Sequence, residues 1–521
     1  MSEDLSDAGL RKKVGDALTF VFLRSTGIFV LRLFFVPILV RIISQSEYGN
    51  YVFILSIIDL SITISIFGTN DAIRKYAAEI SQSSSQVLRR FVFSSLLLTV
   101  FLSIVASLVG LSILHRGLIK VNLESNVLSY LHFAVGVVAI SILFNNAMSV
   151  LFGLHMQRIS EPLRFIQTMI CFGIGLLLAY SGFGVKGLLS AHILSLIFAL
   201  VAGVYVITKK VHFSVQAMKE GLYKYSRRLL SFGRWIVVGA LFAQVLYQAD
   251  VIMIRSFLSA KDAALYKAAL IPAHFLWFIP RIVSVSLLPS LSELWSKGDV
   301  SKVASVSFKS VRYVFWLSLL MGCGLFILSK PFVKVYYGED YLPAALALQI
   351  LIVGTFGFAI SRITGPVFQA SENLSIEVLC TGLAAVLNVM LNLFLIPPYG
   401  IYGAAVATSV SYGFMLLSKT WGLKRRTNIG LFKGFPYKNF AMLATILLGI
   451  LYLINWIPIL SPASKIVLGA GVGLITHLFV SKKLGLIDDS DFKIFYHSRL
   501  FPRVIKVVYR NTLGLFKVGR L

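Results

Sequence analysis

Fourteen apolar runs, each about 18 to 26 residues long, follow one another along the chain. They fall at about 18–43, 50–69, 90–114, 127–151, 162–181, 186–207, 233–257, 264–289, 308–329, 343–366, 375–397, 400–422, 438–457 and 464–481. A helix rises about 1.5 Å per residue, so about 20 residues cross a hydrocarbon core of about 30 Å. Lipid offers no water to satisfy backbone N–H and C=O groups, which leaves helices or closed barrels as spanning structures. Barrel strands need only about 10 residues of alternating polarity, and these runs are longer and apolar throughout. The fold expected is an all-α polytopic membrane protein of about fourteen transmembrane helices. A content of 57% hydrophobic and 14% charged residues agrees with it.

An even number of spans puts both termini on one side. With the N-terminus inside, cytoplasmic segments hold 35 of the 49 Lys and Arg and external loops hold 8. The other six, Arg24, Arg32, Arg41, Arg255, Arg281 and Arg362, fall within spans. A basic excess on the inner side is the orientation signal of multi-pass proteins. It predicts a cell (inner) membrane protein with both termini cytoplasmic, and it explains the net charge of +27 without nucleic acid. The polar start Met1 to Asp16 has no short apolar core with a small-residue cleavage site, so no removable signal peptide is expected. At the other end, Arg499 to Leu521 mixes bulky apolar residues with Arg503, Lys506, Arg510, Lys517 and Arg520. Such a piece binds anionic inner-leaflet lipid at about 1 kcal/mol per basic side chain, or else forms a solvated tail.

Several functions are disfavoured. External loops are about a dozen residues or fewer, too short to assemble the acid–base and sugar-binding groups of a glycan-processing enzyme. No GxxxxGK[ST] loop occurs, so neither nucleotide nor other cofactor is called for. Cys171, Cys323 and Cys380 lie in apolar runs and read as small core residues, not as disulfides or metal ligands.

A shift of about 215 residues aligns three landmarks. Arg41 before Tyr51 (RIISQSEYGNY) matches Arg255 before Tyr266 (RSFLSAKDAALY); Glu79 in KYAAEIS matches Glu293 in LPSLSELW; Gly184 and Gly187 match Gly400 and Gly403. Six spans separate equivalent points, so both halves keep one orientation, a parallel repeat about an axis along the membrane normal with a cavity between the halves. The division expected is a six-helix lobe over 1–210, a second over 211–425, extra helices 13 and 14 within 426–485, and a basic cytoplasmic tail over 486–521.

The stretches 39–79 (LVRIISQSEYGNYVFILSIIDLSITISIFGTNDAIRKYAAE), 248–269 (QADVIMIRSFLSAKDAALYKAA) and 388–412 (NVMLNLFLIPPYGIYGAAVATSVSY) resemble the oligosaccharide or polysaccharide flippase family, within the multidrug/oligosaccharidyl-lipid/polysaccharide exporter superfamily. The resemblance covers about residues 15 to 425. It implies a V-shaped pair of six-helix lobes that flips a polyprenyl-linked oligosaccharide from the cytoplasmic to the outer leaflet. The tail is longer and more basic than the family pattern requires.

The charges within spans then divide. A central arginine costs roughly 3 kcal/mol of insertion free energy, so three in span 1 nearly cancel its apolar residues and must face protein, water or an anion. Arg24 lies eight residues before Arg32, about 12 Å along the helix and about 80° around it, so both can border one cavity. Arg281, after Pro280 in span 8, lies at a depth between them. Lipid-linked sugars carry phosphate or diphosphate, which guanidinium grips through paired hydrogen bonds. Arg24, Arg32 and Arg281 are therefore assigned to the substrate's phosphates, with Arg362 at the vestibule; the bland reading is snorkelling or pairing with Asp59 and helix-end carbonyls. Arg41 and Arg255 recur in both halves and read as scaffold. Asp59 and Asp250 are either structural partners of cations or carriers of a coupling proton or cation. Asp71, Arg74, Lys75 and Glu79 form an inner elbow of packing and gate ion pairs, and Asn145, Asn146, Gln167, Asn388 and Asn392 are expected to hydrogen-bond between helices.

The reading is a non-enzymatic flippase working by alternating access as a monomer beside glycan-assembly proteins. The alternatives are a cation-coupled multidrug exporter of the same fold and, from another class, a membrane glycan polymerase or ligase. A drug exporter favours a carboxylate-lined cavity, whereas six arginines here face mainly Asp59 and Asp250.

Overall fold

Residues 2–81, 84–116, 125–211 and 222–486 are described by the structure, a computed structural model, and among them every regular element is helical. In chain order these are α1 (Ser2–Ile42), α2 (Gln45–Ile66), α3 (Thr69–Ile80), α4 (Ser85–His115), α5 (Ser125–Gly153), α6 (Gln157–Leu178), α7 (Gly184–Lys210), α8 (Leu222–Phe257), α9 (Ala260–Ala273), α10 (Phe278–Ser296), α11 (Val300–Ile327), α12 (Ser329–Tyr336), α13 (Ala344–Ser361), α14 (Thr364–Ala370), α15 (Leu374–Thr427), α16 (Tyr437–Trp456) and α17 (Pro462–Lys483). The basic tail segment 499–521 and most of the 486–521 region lie outside the described residues.

Twelve helical stretches are long and apolar enough to cross a membrane, and two of them, Gln157–Lys210 and Leu374–Thr427, run 54 residues each. A straight helix of that length would measure about 80 Å, far more than a bilayer. Both bend at a glycine instead. Gly184 has φ 51°, ψ −134° and Gly400 has φ 59°, ψ −137°, backbone that side-chain-bearing residues rarely adopt. The arms on either side meet: Gln167 Nε2 donates to Ser195 Oγ (3.0 Å) and Asn388 Nδ2 to Thr408 Oγ1 (3.3 Å). Each long stretch therefore has the length of two crossings. Pro397 and Pro398 lie in the helical turn before Gly400, so the bend itself is made by the glycine.

The repeat is visible in local geometry. Ser44 Oγ accepts from the Glu47 amide (3.2 Å) and Glu47 Oε2 accepts from the Ser44 amide (3.1 Å), a reciprocal cap that starts α2. Ser259 and Asp262 repeat the exchange before α9, both amide bonds at 3.2 Å. The two caps are 215 positions apart and the two bent glycines 216, which are the spacings of the sequence repeat.

The chain forms two compact units, Met1–Lys267 with Val389–Ile401 and Ala268–Asn388 with Tyr402–Leu521. In the first, α1 and α6 run parallel: Arg24 pairs with Glu161, Gly27 lies against the Phe165 ring, and Phe35 stacks on Phe172 at 4.0 Å. Parallel packing is required of two helices that enter from one side. In the same unit α2 and α3 run antiparallel to α8, meeting at Asn50–Arg255, Asp59–Gln248, Thr63–Gln244 and Glu79–Arg228. Gly68 and Gly233 complete this line, where a Cβ on either would strike the other segment's backbone. Asn146 Nδ2 bonds Thr69 and Thr99 hydroxyls at 3.0 Å, tying α5 to α3 and α4. Such interhelical bonds contribute about 0.6 kcal/mol each in lipid.

The second unit's core gathers Leu291, Val311, Val314, Phe368, Leu443, Leu447 and Leu478, so α16 and α17 pack into it as well. Trp316 Nε1 donates to Ser481 Oγ at 2.7 Å. Cys171, Cys323 and Cys380 are buried.

Candidate functional site

Within the first unit, the α1 stripe that faces α6 carries Arg24. Its Nε lies 3.0 Å from Glu161 Oε2, a carboxylate only 4% exposed. Arg164, one turn further along α6, donates to Asn145 Oδ1 at 2.9 Å and stands over the Phe144 ring. Arg24 is thus held among protein partners. Arg32 leaves that stripe and is exposed in the middle of the apolar stretch. It lies within charge–charge range of Tyr51, Asp59, His192 and Lys267.

These groups lie on α1, α2, α7 and α9, and Gln248 of α8 bonds Asp59; together they make up a polar hub. Asp59 is exposed there and accepts from Gln248 Nε2 at 3.0 Å. Lys267, half-buried on α9, is the second cation near Asp59 and also feels Asp250. Asp250 itself is 1% exposed, with both oxygens engaged: Tyr266 Oη donates at 2.5 Å and Asn392 Nδ2 at 2.6 Å. A buried carboxylate so satisfied is held rigidly in its place. Arg255 Nε donates to Asn50 Oδ1 at 3.0 Å and is buried; Arg41 Nη1 donates to the Pro37 carbonyl at 2.7 Å. Both repeated arginines bond near their own helix ends.

In the second unit Arg281 is exposed on α10. Arg362 caps α13 and stands 5.4 Å from the Phe358 ring centroid and 5.8 Å from that of Trp277. Trp277 is stacked on His274 at 3.6 Å, and Tyr412 closes the group against Phe358 at 4.7 Å. The inner elbow pairs as its charges suggest: Arg74 with Asp71 at 3.4 Å, and Arg228 with Glu79 at 2.8 Å, with Arg228 also 4.0 Å above the Tyr76 ring.

Two residues of the site escape sequence patterning. Lys267 is tallied there with the external basic residues although the apolar run 264–289 already holds it; α9 begins at Ala260 and places it two turns inside. The Ser259–Asp262 cap was the signal that could have moved the helix start. Glu161 sits beside Pro162 in a polar approach to span 5, and only the parallel packing of α1 on α6 gives it a partner.

Chemically, the hub sets a guanidinium and an ammonium within charge–charge range of one carboxylate on apolar helices. Cations so placed suit phosphate oxygens. Among the described residues no group of three or more His, Cys, Asp or Glu side chains forms a metal site.

Residues 38–346 match the family model described as polysaccharide biosynthesis protein. An uncharacterised membrane protein of Methanocaldococcus jannaschii is 26% identical over 74% of this chain and 78% of its own. A Haloferax volcanii protein named "Probable low-salt glycan biosynthesis flippase Agl15" is 25% identical over 51% of this chain and 55% of its own length. Among solved structures, lipid II flippase MurJ in an inward closed conformation shares the fold, with a TM-score of 0.70 at 15% identity over 88% of this chain and 98% of that one. Fourteen apolar runs, a repeated cap and hinge, and a family match over more than half the chain meet in one conclusion: this chain belongs to the polysaccharide biosynthesis protein family.

Proposed function

We propose that the protein flips a polyprenyl-phosphate- or diphosphate-linked oligosaccharide from the cytoplasmic to the outer leaflet of the cell membrane for surface polysaccharide or glycan assembly. It is a transporter, not an enzyme. The two halves of the repeat, 1–210 and 211–425, alternate access, with Arg32, Arg281, Arg362 and Arg24 contacting the phosphates. The observation that carries this reading is the cationic hub, where Arg32 stands exposed within an apolar helix and Lys267 joins it. A guanidinium exposed at that depth presents several N–H donors, and the headgroup of a lipid-linked glycan is an anion that suits them. Relatives named as glycan flippases support the same substrate class. Arg24, already paired with Glu161, is the weakest of the four as a direct ligand. Asp250, Arg41 and Arg255 serve as scaffold in this reading, and Asp59 as the charge that answers the hub's cations.

The test is the accessibility of lipid-linked oligosaccharide at the outer leaflet, measured in cells or proteoliposomes with and without the protein. Externalisation is expected only with it, and Arg32→Ala is expected to abolish most of that externalisation, with Arg32→Lys retaining part. Full activity in Arg32→Ala would remove the hub from the mechanism. Export of cationic drugs without any glycan externalisation would favour the multidrug reading.

A further inference from the structure

We propose that the junction of α15 and α16 is a headgroup site for a phospholipid of net negative charge, its partner being resident membrane lipid and not the transported substrate. The site lies wholly in the second unit and is independent of which glycan the protein carries.

The sequence supplies the charge. Residues 378–487 contain nine Lys and Arg and no Asp or Glu. Five of the nine, Lys424, Arg425, Arg426, Lys433 and Lys438, fall around one loop, and all five are exposed. Lys424, Arg426, Lys433 and Lys438 make no hydrogen bond or ion pair among the described residues. Glu377, the carboxylate that precedes them in sequence, is already paired with buried Lys419 at 3.4 Å.

Local folding makes the loop a fixed platform. α15 ends on Asn428 at φ 59°, and Thr427 Oγ1 accepts from the Ile429 amide at 3.3 Å. The Lys433 and Phe435 amides donate to the Gly430 and Phe432 carbonyls, and Gly434 takes φ 76° between them. Ile429, Leu431 and Phe435 are buried, with Phe435 stacked on Phe440 at 5.1 Å and set against Phe315 at 5.2 Å. Asn439 Nδ2 donates to the Leu484 carbonyl at 2.8 Å, which fixes the start of α16 to the end of α17.

Two aromatic side chains set the depth. Trp421 is 59% exposed and Tyr437 57%, one on each side of the loop in sequence. Such rings at the ends of spans sit at headgroup level, so the cations between them stand at the height of lipid phosphates. The Arg425 guanidinium carbon lies 4.2 Å from the Trp421 ring centroid. Stacking occupies the face of a guanidinium and leaves its N–H edge, which matches two phosphate oxygens. Charge then selects among lipids. A zwitterionic headgroup brings an ammonium group beside its phosphate, and a rim of five cations repels it. Phosphatidylglycerol, charged only at its phosphate, meets no such repulsion. An orientation signal requires only that basic residues be numerous on one side. It requires neither a rigid turn nor an arginine stacked on an exposed indole, and a headgroup site uses both.

The test titrates delipidated full-length protein in uncharged detergent with short-chain phosphatidylglycerol, phosphatidylcholine or inorganic phosphate, read by thermal midpoint and native mass spectra. Phosphatidylglycerol should bind at least tenfold more tightly than phosphatidylcholine, and inorganic phosphate, lacking acyl chains, should leave both readings unchanged. Lys424→Gln/Arg425→Gln/Lys433→Gln should lose the preference. Lys186→Gln/Lys261→Gln/Lys330→Gln, which removes as much charge from exposed lysines outside the rim, should keep it. Trp421→Ala retains every charge and should still weaken phosphatidylglycerol binding about threefold; it carries the test if the triple rim variant does not fold. Equal affinity for the two lipids, a preference that survives the rim substitutions, an equal loss in the control variant, or unchanged affinity in Trp421→Ala overturns the site. Inorganic phosphate that reproduces the effect overturns the assignment to lipid. Glycan externalisation is a separate readout, so any of these failures leaves the proposed function standing.

Discussion

Two arginines eight residues apart on one helix meet different surroundings because helical rotation gives them different faces. Arg24 lies on the stripe, with Gly27 and Phe35, that packs on α6, and its partner Glu161 is 4% exposed. Removing one member of a buried pair leaves the other charged and unsolvated, at a cost of about 3 kcal/mol or more. Arg24→Ala should therefore lower the thermal midpoint in detergent, and adding Glu161→Gln should recover most of the loss, since the orphaned charge is then gone. Arg32→Ala should leave the midpoint within a degree or two. If Arg24→Ala proves thermally silent, the pair does not hold α1 to α6. Residue chemistry was partly legible in advance. The intramembrane arginines and the polar amides could be read from single positions, because a guanidinium or an amide in lipid demands a partner whatever the fold. Which partner it takes could not, because that depends on helices brought together across the chain, as Glu161 meets Arg24 over 137 positions and Asn392 meets Asp250 over 142.

At the scale of elements, hydropathy shows where helices run and says little of how they bend. Apolar windows 162–181 and 186–207, or 375–397 and 400–422, predict spans with a short loop between. In the structure each pair forms one continuous helical path bent at glycine, at Gly182 and Gly184 in the first and at Gly400 in the second, since residues of positive φ reverse the chain within a turn. The break between α2 and α3 is equally local: Phe67 and Gly68 both have positive φ, and Gly68 meets the Gly233 backbone so closely that no side chain fits between. The two bent glycines differ in their surroundings, and that yields a comparison. At Gly400 a Cβ would find only Leu258 at 3.9 Å, so Gly400→Ala costs backbone strain alone, about 1 to 3 kcal/mol. At Gly184 a Cβ would also strike the Glu47 carboxylate, which is engaged in the cap of α2. Gly184→Ala should destabilise more than Gly400→Ala and should also loosen the first turn of α2, read as faster hydrogen exchange at the Glu47 amide. Equal losses with an unchanged α2 terminus would mean that the cap yields without cost.

At the scale of the molecule, repeat and charge pattern are global properties of the sequence and were legible as such; the caps and hinges at 215- and 216-residue spacing show the repeat again in backbone geometry. What drives transport follows from charge. In the proposed function the driving force is a gradient across the membrane, in keeping with a sequence that has no GxxxxGK[ST] loop. A membrane potential supplies about 2.3 kcal/mol per charge per 100 mV. A diphosphate-linked substrate moving outward with two negative charges would gain about 4 to 5 kcal/mol from an inside-negative potential, and a monophosphate-linked one about half. The hub bears on this directly. If Arg32, Lys267 and Asp59 stay with the protein while the headgroup leaves, the substrate's own charge is what crosses the field. Proteoliposomes with a potassium diffusion potential should then flip faster as the interior becomes more negative. The logarithm of the rate should rise with potential about twice as steeply for a diphosphate-linked substrate as for a monophosphate-linked one. A rate indifferent to potential would mean that a cation travels out with the headgroup and cancels its charge; Asp59, the carboxylate exposed beside the substrate's cations, would then be the first position to substitute in search of it.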